Sequence, residues 1–301
     1  MLKTNCNGEI WCVTQPDHGA VAGYLAAHWG NSDLLAPGNF AHSPDAERLR
    51  AEVVFAIANH DNGWWEWEAA PEFDGIDGLP LDLTDVLGDQ QASMDRWRWG
   101  VPRFADTHPY ASLLMSWHAY WLYAQRADEE NDPAFAHPLF STERAPLDGQ
   151  ALQQAESFLA ELRQLQQRLM KPVLDDPATS HWMQPDHLWP HVRLLQVLDS
   201  LSLWMCSGLI PGDDGRRGGP GQHAVTFHDV PTSNWHNRVD LSVSPIDAGR
   251  ASIEPYPFDQ DELVVHLPLK RFSRAIEKTA NPALHWAAQP TQIVEFTFCR
   301  I

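Results

Sequence analysis

An aspartate set inside an apolar helical run constrains this chain more than any other residue. Asp199 lies in the stretch Val192-Arg193-Leu194-Leu195-Gln196-Val197-Leu198-Asp199-Ser200-Leu201-Ser202-Leu203-Trp204-Met205-Cys206. Wound as a helix, this run places Leu195, Asp199, Ser202, Leu203 and Cys206 on one face, which is apolar enough to be core. A lone carboxylate there loses its hydration with nothing in return, so it must be paired, protonated or bound to a metal. Partners stand upstream: His18 in a helical pattern, the doublet His60-Asp61 closing a second, and His118 on a third.

Composition narrows the partners. With 301 residues, the chain is long enough for one large domain or two smaller ones with a substantial core. A hydrophobic content of 44% and a charged content of 20% exclude bulk disorder. The net charge of −19 repels a phosphate backbone, and no basic stripe offsets it, which argues against nucleic acid. Cys6, Cys12, Cys206 and Cys299 form no CxxC pair, so neither a zinc ribbon nor a disulfide scaffold is expected. The first nine residues are too polar for a signal peptide. The longest apolar stretch, Leu194 to Ile210, is broken by Gln196, Asp199 and serines and is no membrane span. The expectation is a cytoplasmic protein acting on a small molecule, with no nucleic-acid or membrane partner; nothing in the sequence sets its oligomeric state.

The pattern along the chain is helical first and alternating later. Residues 1–14 read as a short strand or extended segment. Helices are predicted from Pro16 to Trp29, from Ser43 to His60-Asp61 with Asn62-Gly63 as C-cap, from Pro109 to Ala127, from Pro146 to Leu169, and from about Pro190 through Asp199. Residues 64–105 form a long Trp- and Asp-rich connection of short helices and loops, and a connection of that length is usually functional. Asp128 to Pro138 and Lys171 to Trp189 read as loops. A Gly- and Pro-rich linker spans Pro211 to Gly221. Strands follow at Val225/Phe227, Val239/Leu241/Val243, Leu263/Val265/Leu267 and Val294/Phe296/Phe298, with a helix over about Pro268–Thr279. The plan is mainly α: a helical metal-binding domain over 1–210, then a small β-rich subdomain over 222–301.

His60 and Asp61 at a helix end share an axial direction, and the negative end of the helix dipole favours a cation there. Imidazole and carboxylate ligands together suit Mn, Fe, Co, Ni or Zn rather than calcium. The order of these residues resembles the HD superfamily of metal-dependent hydrolases, whose ligands are a His on one helix, a His-Asp doublet on the next and an Asp on a late helix. The resemblance implies an HD-like helical bundle with His18, His60, Asp61 and Asp199 as metal ligands. His118 matches an additional mid-chain His that some members use for a second metal or for substrate. The stretches Gln15-Pro16-Asp17-His18, Asn59-His60-Asp61-Asn62-Gly63-Trp64 and Asp199-Ser200-Leu201-Ser202-Leu203 also resemble an uncharacterised bacterial family of unknown function, over most of the chain, which brings no activity.

Alternatives stay open at this level. The chain has fifteen His, and His28 shares a face with His18. A hydrogen-bonded His-Asp core network would satisfy Asp199 without a metal. His187 and His191 have ligand-like spacing, but Pro190 stands between them. His223, His228 and His236 read as surface or strand residues. Of fourteen Trp, seven fall between residues 64 and 121, where they fill core first and wall a pocket second.

HD enzymes mostly cleave phosphate esters by metal-activated water, which makes Asp61 and His118 the candidate catalytic residues. Trp64, Arg96 and Arg98 are candidate substrate-binding residues. No Lys or Arg lies between Arg50 and Arg96, so a phosphate clamp must come from Arg96, Arg98, Arg103 or Arg193. That shortage keeps two other chemistries in view. One is a di-iron HD-type oxygenase with His118 and either His28 or His108 as extra ligands. The other is a non-catalytic metal- or ligand-binding module.

Overall fold

The computed structural model describes all residues except 7, 128–131, 139–145, 207–223, 248, 274–280 and 301. The predicted linker and His223 lie outside the described residues.

The chain opens with a hairpin, β1 (Leu2–Cys6) and β2 (Glu9–Val13), and then turns helical. Thr14 caps α1 (Gln15–Ala27) by accepting the Asp17 N–H, and Pro16 sits in the first turn, where its missing N–H costs nothing. Helix α2 (Ala46–Ala58) ends at Asn59, one residue short of the His60-Asp61 doublet. The connection that follows holds a 3-10 turn (Asn62–Trp64) and three short helices, α3 (Trp65–Ala69), α4 (Leu83–Val86) and α5 (Gln90–Gly100). Gly63 is therefore no C-cap: its α-carbon lies so close to Arg96 that a β-carbon would sit 2.1 Å from that carbonyl oxygen. Helix α6 (Pro109–Ala127) has the predicted bounds.

The last two long helices overrun their predicted ends. Helix α7 (Gly149–Asp175) continues through Pro172, because the buried stripe Leu162, Gln166, Leu169 reaches one step further to Val173. Helix α8 (Pro185–Trp204) starts five residues before Pro190 and contains it. Packing of the apolar stripe outweighs the local cost of proline in both.

The expected fold class, an HD-like helical bundle with a small β tail, is incorrect. The helices pack on a curled seven-stranded sheet with the order β1-β2-β6-β7-β5-β4-β3. Its other members are β3 (Val225–Pro231), β4 (Arg238–Asp247), β5 (Arg250–Glu254), β6 (Glu262–Ser273) and β7 (Gln292–Cys299). All neighbours are antiparallel except β5 and β7. The sheet draws strands from both sides of the 1–210/222–301 division, since Ile10 pairs with Phe272 and Cys12 with Lys270. Two features hid it. Every residue of β1 is buried, so that strand shows no alternation, and its hairpin meets β6 only across more than two hundred intervening residues. Of the helix predicted over Pro268–Thr279, residues 268–273 are strand instead, and 274–279 lie outside the described residues. Pro268 and Leu269 continue β6, paired with Ile293 and Gln292, and the helix comes later as α9 (Pro282–Ala288). One buried cluster runs from Leu2 through the helices to Phe298.

Two contacts fix the helical layer. Helix α1 crosses the end of α2 through Gly19 and Gly23; a β-carbon on Gly23 would meet that of Ala58 at 2.4 Å. On α8, His191 is wholly buried, with Nε2 accepting the Gly38 N–H at 3.1 Å. Its proton therefore sits on Nδ1 and is donated to the Tyr110 hydroxyl at 2.9 Å. Burial and neighbouring His187 push its pKa down to about 3.

Two outcomes follow from these contacts. Gly23→Ala forces α1 off α2 and lowers stability by about 1–3 kcal/mol, read as a drop in melting temperature. His191 takes up a proton only on unfolding, so the unfolded chain binds more protons below pH 6.5 and stability falls as pH drops from there towards 3. His191→Phe flattens that slope by up to about 1.4 kcal/mol per pH unit, measured by denaturant titration across the acid range.

Candidate metal centre

Four helices and one 3-10 turn bring six titratable side chains to one point. His18 comes from the first turn of α1, His60 and Asp61 from the chain just past α2, His118 from the middle of α6 and Asp199 from α8. The sixth, His137, follows a 3-10 turn (Pro133–Phe135). All three atoms offered by His18, His60 and Asp199 lie within 4.8 Å of one another, and so do those of His118, His137 and Asp199.

Asp199 is the shared member. Its Oδ1 lies 3.2 Å from His18 Nε2 and 3.3 Å from His60 Nε2. Its Oδ2 lies 2.9 Å from His137 Nε2 and 3.4 Å from His118 Nε2. Asp61 closes the first group, with Oδ2 at 3.5 Å from His18 Nε2 and 3.7 Å from His60 Nε2. The predicted ligands His18, His60, Asp61 and Asp199 thus converge, and His118 faces the same carboxylate.

The hydrogen bonds behind the rings set which nitrogen faces inward. His60 Nδ1 lies 2.7 Å from the Ile57 carbonyl, which can only accept, so Nδ1 carries the proton. Ser202 gives its hydroxyl proton to the Asp199 carbonyl at 2.9 Å and so accepts from His18 Nδ1 at 2.7 Å. Both rings therefore aim an Nε2 lone pair at carboxylate oxygens. Neither Nε2 has a hydrogen-bond partner. Lone pairs facing lone pairs in a buried site repel, and only a second proton on each ring or a cation between them resolves the conflict. Backing of a ring N–H by a carbonyl or hydroxyl is the usual support of a ligating imidazole.

The electrostatics agree. Burial opposes charge on His60, yet Asp61 and Asp199 raise its pKa to about 9. Burial likewise opposes charge on His18, and the carboxylates of Asp199 and Asp61, which would accept from a protonated Nε2, overcome it. Asp199 is held well below the usual carboxylate range: burial works against its charge, but His60, His137 and His18 outweigh it. His118 goes the other way, down to about 3, because burial and the charges of His60 and His137 exceed the pull of Asp199. The site thus strongly favours positive charge on one side and keeps a neutral imidazole on the other.

His137 escaped the sequence because it sits in a short Ala-His-Pro stretch with no periodicity to mark it. Its placement is tertiary. Arg193 Nη1 donates to the Ala136 carbonyl at 2.6 Å, and Gln196 Nε2 donates to that of Phe135 at 2.9 Å. Arg193 also reaches the His228 carbonyl on β3, so this buried guanidinium ties the His137 segment between α8 and the sheet.

The candidate substrate residues fare unevenly. Trp64 lines a cavity of about 300 Å³ together with Gln15, Asp61, Trp97, His118 and Asp199. Arg96 and Arg98 do not line it. Arg96 stacks behind Trp64, 4.1 Å from the ring, and Arg98 turns outward to Glu161 and Asp95, both at 2.7 Å. Helical phase explains the second: the outward face of α5 meets α7, where Glu161 waits. Arg103 pairs with Glu66. The cationic side chain among the described lining residues is Arg126, which sequence reasoning did not single out. His28 pairs with Asp259 and His108 with Glu52, so neither supplies an extra ligand.

Substitutions at Asp199, which both groups share, and at His137, which belongs to one, tell the two groups apart. Asp199→Ala removes metal from both and leaves the helical circular-dichroism signal of the metal-free protein in place, because a buried charge goes with it. His137→Ala removes metal from its own group alone. Metal analysis of protein purified without chelator reads both outcomes; unchanged metal in Asp199→Ala, or loss of fold with metal retained, contradicts the assignment.

No helix among the described residues is long and apolar enough to cross a membrane. No curated protein and no solved structure matches the chain. A family model does match, over residues 1–274, and the chain belongs to that family, DUF3891, described as a protein of unknown function.

Proposed function

We propose that this protein is a metal-dependent hydrolase acting on a small molecule, with a phosphoester as the favoured substrate. The observation that carries the reading is the pair of His-His-Asp groups sharing Asp199, which stands at the wall of a cavity of mixed polar and apolar lining. Such a donor set suits Mn, Fe, Co, Ni or Zn. The order His18, His60-Asp61, Asp199 is that of HD-type hydrolases, and this likeness of ligand order supports the reading without extending to the fold. His18, His60, Asp61 and Asp199 would hold a divalent ion there, which would supply Lewis acidity to a water and to a phosphoryl oxygen.

The chain's own residues do the rest. Asp61 stands in the cavity wall beside His18 and His60, where it can take a proton from water as the water oxygen joins phosphorus and pass it to the ester oxygen as the P–O bond breaks. His118 is neutral, which suits a ligand better than a proton donor. Trp64, Trp97, Leu122 and Leu203 line the cavity with apolar surface and thin the water around the reacting bond.

A second reading rests on a specific observation. His118 and His137 form a complete second triad with Asp199, as a di-iron oxygenase would require. Metal content and turnover divide the readings. The hydrolase reading expects one ion for each triad and metal-dependent release of phosphate or alcohol from a panel of phosphomono- and diesters, abolished in Asp61→Asn. Iron in both positions with substrate-dependent oxygen uptake and no hydrolysis favours the oxygenase. Protein that holds no metal after purification or reconstitution overturns both.

A further inference from the structure

The cavity extends well past the His/Asp centre along α6. His118, Leu122 and Arg126 stand at i, i+4 and i+8 on one face of that helix, and all three line it. Eight residues of helix separate the α-carbons of His118 and Arg126 by about 12 Å. The helix thus sets His118 and Arg126 about 12 Å apart along one cavity, whose lining also includes Leu83, Leu87, Leu122 and Trp97.

Arg126, like Arg96, has a buried guanidinium nitrogen without a hydrogen-bond partner, but Arg96 is stacked on Trp64 whereas Arg126 lines the cavity. Arg98, Arg103 and Arg193 are each committed to carboxylates or carbonyls. Arg126 has no hydrogen bond or ion pair from its guanidinium to any described residue, and its Nε is buried without a partner. Burial lowers its pKa, which remains far above neutrality for a guanidinium. A charged, partly desolvated fork stands in a cavity whose other lining residues are acidic, neutral polar and apolar, and no described oxyanion pairs with it. In a chain of net charge −19, such a cation is an isolated attractive point for a negatively charged ligand. A second polar signal stands near the other end: Gln15 is buried, lines the cavity, and leaves its amide oxygen without a donor.

The geometry points to Arg126 as the anchor for a non-reacting oxyanion of the substrate, a carboxylate or phosphate held at the far end while the reacting group lies at the His/Asp centre. The substrate class is therefore a small, two-ended molecule with an apolar or lightly hydroxylated body, anionic at the end remote from the reacting bond. This assignment rests on the metal-dependent reading of the centre for the identity of the reacting end; the Arg126 end stands on the cavity alone.

The test uses the full chain, loaded with metal and assayed for metal content in the same sample. Straight-chain dicarboxylates from malonate to suberate are titrated against monocarboxylates of matched length, with affinity read by calorimetry. A dicarboxylate of fitting length binds at least about tenfold more tightly than its monocarboxylate, the scale of one charge-assisted contact. Arg126→Gln removes that advantage while metal content persists; Arg126→Lys restores part of it. Equal binding of the two series, or an advantage that survives Arg126→Gln, overturns the anchor. Should the protein hold no metal, the hydrolase reading fails separately. The anchor is then judged on the metal-free chain, where suberate binding lost in Arg126→Gln supports it and binding that is absent or indifferent to the substitution overturns it.

Discussion

The arrangement turns on one buried carboxylate facing four imidazoles. Asp199 offers Oδ1 to His18 and His60 and Oδ2 to His118 and His137, so a single side chain on α8 ties α1, the end of α2, α6 and the segment after Phe135 to one point. A carboxylate in so dry a place is untenable alone. The rest of the helical layer can be understood as the means of delivering its partners.

Delivery depends on close approaches as much as on helices. Gly19 and Gly23 let α1 lie against the end of α2, which brings His18 and His60 edge to face with ring centroids 5.1 Å apart. Gly63 and Gly100 let the 3-10 turn after Asp61 press against α5. Behind the rings, Ser202 and the Ile57 carbonyl hold the protons that would otherwise face Asp199. The buried Arg193 performs the corresponding task for His137, spending its donors on carbonyls rather than on substrate. A guanidinium that reads as a phosphate clamp in sequence is a strut in the fold.

The charge layout gives the cavity its polarity. The overall negative charge of the chain and the two acids in the wall would repel an anionic ligand, so any such ligand depends on local positive charge at its ends. The His/Asp centre favours positive charge at one end, and Arg126 supplies it at the other. Trp64 and Trp97 stand at the wall as well, so part of the aromatic cluster serves the cavity while Trp117 and Trp121 pack with Tyr120 and Phe135 in the core. The same residue type thus fills both roles within sixty positions, and only packing separates them.

That Asp199 needs partners was legible because a carboxylate in an apolar helical stripe cannot stand alone, and the resemblance in ligand order pointed to His18, His60, Asp61 and His118, which the structure brings near it. The limits of α6 and the main C-terminal strands were legible because period and turn chemistry are local. The sheet was not, because fully buried strands lose their alternation and the pairing of β2 with β6 joins opposite ends of the chain. His137 and Arg126 were not legible either: one lies on an irregular segment held by Arg193 and Gln196, and the other is marked only by the cavity it faces. Sequence determined which residues needed a partner; the tertiary structure decided which partner each received, because burial and lone-pair direction are set by elements distant along the chain.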